Sequence, residues 1–142
     1  MSHRLYRRVG LTALGVAMAG ALVAGPAAAA GSVNSMEEPF YYAAQTDFPG
    51  GDDEYFENGG HEYIASGGDI LLSLDSNPDG VEVLLEKCDS GSDLSDVVNI
   101  PEGDSEPRVL AADQDVEAGT CFVVLPRSTG DEPTEIEGTL SF

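Results

Sequence analysis

Apolar and polar positions alternate most clearly between Ile70 and Cys88. Ile70, Leu72 and Leu74 fall on one side of a first run, and Val81, Val83 and Leu85 on one side of a second, the two-residue period of a half-buried strand. Between the runs stands Asn77-Pro78-Asp79-Gly80. Proline supplies the fixed φ of the first central turn position, aspartate suits the second, and glycine accepts the left-handed conformation that follows. The pattern therefore predicts a β-hairpin over 70–88. The final stretch alternates without a fault: Ile136, Gly138, Leu140 and Phe142 face one way, and Glu135, Glu137, Thr139 and Ser141 the other. Residues 120–125 are apolar on both sides, with Cys121, Val123 and Leu125 opposite Phe122 and Val124, which predicts a central or covered strand. Shorter strands are expected over 61–65, within 97–100 and over 108–112, separated by turns at Ser66-Gly67-Gly68 and Glu117-Ala118-Gly119. With no amphipathic helix and no internal repeat, the fold class is all-β, a small antiparallel β-sandwich.

The turn at 75–86 supports a second reading. Asp75, Asn77, Asp79, Gly80 and Glu86 satisfy the spacing D-x-[DN]-x-[DN]-G-x5-E of a helix-flanked calcium loop. Gly67 and Gly68 leave under two helical turns before Asp75, too little for the entering helix, and the strand and turn signals favour the hairpin. Calcium held at a hairpin tip by Asp75, Asn77 and Asp79 with Glu82 or Glu86 is a separate expectation.

Before these elements lies a segment of different character. Arg4, Arg7 and Arg8 precede an uncharged apolar stretch over 9–24, and Pro26-Ala27-Ala28-Ala29-Ala30 supplies A-x-A cleavage sites. This is the pattern of a secretory signal peptide over 1–30, and it implies a secreted, extracellular protein with no stable membrane insertion after processing. Arg7-Arg8 raises a twin-arginine route, but Gly10 stands where a large apolar residue is usual, so the general secretory route is favoured. Residues 31–50 are expected to form a flexible leader rich in acidic and aromatic residues, ahead of a sandwich domain over 51–142.

Removal of the signal leaves three basic and 26 acidic residues, a formal charge of −23. Nucleic acid and anionic membranes require basic contacts that Lys87, Arg108 and Arg127 alone cannot supply. Cations and basic proteins suit the surface better, and the repulsion favours a soluble monomer. Residues 31–142 are enough for one small core. Cys88 and Cys121 are the only cysteines, and an oxidising exterior predicts that they pair.

Catalytic residues are scarce. His61 is the sole histidine after the signal, there is no tryptophan, and neither a G-x-S-x-G elbow nor a phosphate-binding glycine loop is present, so no enzyme activity is expected. The acidic segment 89–107, closed off by the expected disulfide, is the one feature that suggests a small hydrolase inhibitor. The favoured function is non-catalytic binding of an extracellular protein or a cell-surface polymer.

Asp52-Asp53-Glu54-Tyr55-Phe56, Ile70-Leu71-Leu72-Ser73-Leu74, Asp79-Gly80-Val81-Glu82-Val83-Leu84-Leu85 and Ala118-Gly119-Thr120-Cys121-Phe122-Val123-Val124 follow one another in an order that resembles the bacterial pre-peptidase C-terminal domain. The resemblance covers roughly residues 50–142. It implies a small jelly-roll-like β-sandwich, of the kind attached to secreted enzymes for targeting or binding and in some cases holding calcium.

Overall fold

The computed structural model describes residues 35–50, 55 and 60–142. The expected signal peptide, the first residues of the expected leader, and Asp52, Asp53, Glu54 and Phe56 of the family-like segment lie outside the described residues. The described residues form eight strands: β1 (Glu37–Ala44), β2 (Glu62–Ile64), β3 (Ile70–Ser76), β4 (Val81–Lys87), β5 (Val98–Ile100), β6 (Arg108–Ala111), β7 (Cys121–Ser128) and β8 (Thr134–Ser141). A 3-10 turn, Asp113–Asp115, follows β6. One sheet has the order β1-β8-β3-β6 and the other β2-β7-β4-β5, and every pairing between strands is antiparallel. The pairs β1–β8, β2–β7, β3–β6 and β4–β5 are the rungs of a long ribbon rolled into two layers, the jelly-roll arrangement. The all-β sandwich expected from the alternation is the fold observed.

Alternation builds the core directly. Ile70, Leu72 and Leu74 of β3, Val81, Val83 and Leu85 of β4, Phe122 and Val124 of β7, and Ile136 and Leu140 of β8 are all buried between the sheets. Tyr63, Phe122 and Phe142 fill one end, with ring centroids 5.2 to 5.8 Å apart. Tyr42 and Tyr55 are buried beside one another, and the Tyr55 hydroxyl donates to the carbonyl of His61. β7 is central, as its two apolar faces require, and β8 lies between β1 and β3.

One expectation is corrected. Residues 70–88 do form two extended arms with the inward residues anticipated, but the arms are not a hairpin: β3 belongs to one sheet and β4 to the other. The bend at 77–80 carries the chain across the core, so the apolar faces of the two arms meet through the interior instead of lying side by side. Gly80 adopts the left-handed φ of +77°. It is also crowded, since a Cβ there would lie 2.8 Å from Thr129 Oγ1 and 3.0 Å from the Glu102 amide nitrogen. Strands, not helices, stand on both sides of this bend, so the helix-flanked calcium loop is not formed.

The sandwich also begins earlier than expected. β1, placed by the sequence reading in a flexible leader, pairs with β8 along its whole length and buries Phe40, Tyr42 and Ala44. Pro39 is accommodated because β1 is an edge strand. Met36 and Phe142 exchange N–H···O bonds of 2.8 and 2.9 Å, and the two-residue period then directs the main-chain groups of Glu37, Pro39 and Tyr41 away from β8. Proline's missing donor falls at the open edge. The same parity explains Pro126 inside β7. Ser128 donates its N–H to Gln45, on the side away from β4, so Pro126 lacks its donor on the side that the short β2 does not reach.

Candidate functional site

The residues proposed from sequence as calcium ligands are spread over the bend and the outer face of β4. Asp75 and Asp79 are exposed, whereas Asn77 is buried. The Asn77 side-chain amide donates to the carbonyls of Ile100 (3.3 Å) and Pro101 (2.8 Å), and its own main-chain carbonyl accepts from Gly103 N–H (2.9 Å). It fastens the sheet-crossing bend to the loop after β5. Glu82 is bonded to Arg127 across β4 and β7. Glu86 faces Asp93, and burial, then that neighbouring carboxylate, push its carboxyl above the ordinary value. Among the described residues, the one trio of His, Cys, Asp or Glu ligand atoms within 4.8 Å of each other is Glu62, Cys88 and Cys121. The two cysteines are joined in the expected disulfide, so their sulfurs are not thiolate ligands.

Replacing Asn77 with alanine is expected to lower stability by about 2 kcal/mol, because two carbonyls lose their donor in a buried setting. Urea unfolding checks this. A loss near zero would mean that the bend and the loop are held by other contacts.

The acidic segment 89–107 is less of an excursion than its composition suggests. Leu94 N–H donates to Leu85 O at 2.7 Å, Lys87 N–H to Ser92 O at 2.9 Å, and Leu85 N–H to Ser95 Oγ at 3.0 Å, so residues 92–95 lie along β4 before β5 takes over. An open, polar concavity lined by Lys87, Asp93, Leu94, Ser95, Asp96 and Asp115 lies over this region.

Two of the three cations after residue 30 are engaged internally. Arg108 bonds Asp104, four residues earlier, and holds that carboxyl below the usual carboxylate range. Arg127 is bonded to Glu82 on one side and covered on the other by Phe48, with its guanidinium carbon 4.4 Å from the ring centroid. This pair fastens the segment after β1 to the outer face of the second sheet.

A different cluster gathers where the edge strands of the two sheets meet. Glu38 of β1 and Met36 just before that strand, His61, Glu62, Tyr63 and Ile64 from β2 and the residue before it, and Phe142 after β8 line a groove of about 270 Å³. Met36 and Ile64 are 51% and 54% exposed, two of the few large apolar side chains of the described residues left in solvent. The His61 ring lies against Tyr63, tilted by 47° with centroids 3.9 Å apart, and its Nε2 lies 3.5 Å from Glu38 Oε2. Burial and the charge of Glu38 push the Tyr63 hydroxyl up, so it stays neutral. The groove thus has an aromatic floor, two apolar shoulders and the Glu38 carboxylate, with Glu62, whose carboxylate also comes within 4.8 Å of the Cys88 and Cys121 sulfurs, at its edge.

The sequence reading has His61 as the sole histidine after the signal and sets it with Ile64 on a strand over 61–65, but it leaves Met36 and Glu38 in the flexible leader and does not bring the four together. The sign available is the order Glu62-Tyr63-Ile64, whose central residue alone is buried. Comparison with known proteins adds no name to this geometry: no family model, curated protein or solved structure matches the chain.

Proposed function

We propose that the protein is a secreted, non-catalytic acidic module that binds a basic extracellular protein. The observation that carries this reading is the distribution of charge. Residues 31–142 hold 26 acidic groups against three basic ones, and Arg108 and Arg127 are already neutralised by Asp104 and Glu82. The outward field is therefore anionic, and it steers a basic partner toward a rigid two-layer scaffold. The signal-like first 30 residues and the pairing of Cys88 with Cys121 support an extracellular setting. The appendage role implied by the resemblance to pre-peptidase C-terminal domains points the same way.

The test is retention from the producing culture's supernatant. The immobilised protein is expected to hold back one or a few basic proteins at low ionic strength and to release them as salt rises. Retention of nothing, or of neutral and acidic proteins in equal measure, would reject the proposal.

A further inference from the structure

We infer that the groove between the β1 and β2 edges is the docking site, and that it takes an extended segment of a partner protein presenting an arginine or lysine next to an apolar residue. This rests on the binding role proposed above and names its surface. Three independent features of one place support it.

The first is backbone. Ala65 donates its N–H to Thr120 O at 2.9 Å, so residues 63 and 65 face β7, and the two-residue period turns the N–H and C=O of Glu62 and Ile64 outward. β2 is an edge strand, and these are the groups that a further strand would bond. The second is charge complementarity. Glu38 and Glu62 both line the groove, while His61, half exposed over the buried Tyr63, offers a ring face on which a guanidinium can stack. The third is apolar contact: Met36 and Ile64 are the exposed shoulders of a groove whose volume of about 270 Å³ has room for a long side chain. A polymer without main-chain amides cannot use the first of these features, which is why the occupant is a polypeptide.

The experiment titrates the folded protein with a short synthetic peptide alternating arginine and valine, followed by calorimetry and by amide chemical shifts. Saturable binding is expected, with the shifts centred on residues 36–38 and 61–64. The double variant Glu38→Gln, Glu62→Gln is expected to bind about fivefold more weakly. Ile64→Thr, which keeps a strand-forming residue but removes most of the apolar shoulder, is expected to weaken binding about threefold. The control is Glu135→Gln with Glu137→Gln, the same loss of charge on the outer face of β8, which is expected to change affinity by less than about twofold.

Equal weakening by both charge pairs would show attraction to net charge alone and overturn the site. So would a peptide methylated on alternate main-chain nitrogens that binds as tightly as the parent. If the peptide fails to bind while basic proteins are still retained from the supernatant, the groove assignment falls and the binding role stands. If both fail, both are wrong.

Discussion

Gly138→Ala is expected to be the most damaging single-atom-scale change in the molecule, lowering stability by about 3 kcal/mol or more. β8 and β3 approach so closely at this point that an added Cβ would lie 1.9 Å from the carbonyl oxygen of Ser73 and 2.8 Å from the Cα of Leu74. Those are main-chain atoms of a central strand, and no side-chain rotation relieves the clash. The register of β3 against β8 shifts between Leu74 and Ser76, so the crowding sits at an irregularity that alanine would have to pry apart. Urea unfolding should show the midpoint falling with little change in slope. Gly103→Ala is the comparison: φ is +71° and nothing lies within 4 Å of the place an alanine methyl would take, so about 1 kcal/mol of backbone strain is expected. If the two substitutions cost the same, the close approach of β8 to β3 is not what demands glycine.

Breaking the covalent tie is the second large effect. Cys88 lies opposite Cys121 at the ends of β4 and β7, and its N–H donates to the Cys121 carbonyl at 3.1 Å. Thirty-three positions separate the two residues, and on the chain-entropy account closing that loop is worth about 3.7 kcal/mol. The double variant Cys88→Ala, Cys121→Ala is therefore expected to melt about 15 °C lower in calorimetry. Addition of reductant to the parent should reproduce the loss. A drop of only a few degrees would show that the ladder between β4 and β7 holds its register unaided.

Strand positions and faces were legible because alternation is a local property. Ile70, Leu72, Leu74, Val81, Val83 and Leu85 point inward whichever strand lies beside them. Pairing is not local. A proline-aspartate-glycine reversal serves equally to fold two arms onto one another and to lift the second arm into a facing layer, and the choice is made by β6, β8, β5 and β7 competing for the edges. β1 escaped notice for two reasons: Phe40, Tyr41 and Tyr42 run together and blur the period, and Pro39 argues against a strand anywhere but at an edge. The disulfide was legible from cysteine count and setting alone. The groove was not, since Met36, Glu38, Ile64 and Phe142 are brought together only by the pairings β1–β8 and β2–β7.

The mutual bonds of Met36 and Phe142 bear on how the protein is handled. Any purification tag appended after Phe142 would emerge at the rim of the groove and compete there with whatever is offered. A tag spliced into 129–133 leaves from the far end of β8, about 25 Å away, beyond the extended reach of a tag of about six residues.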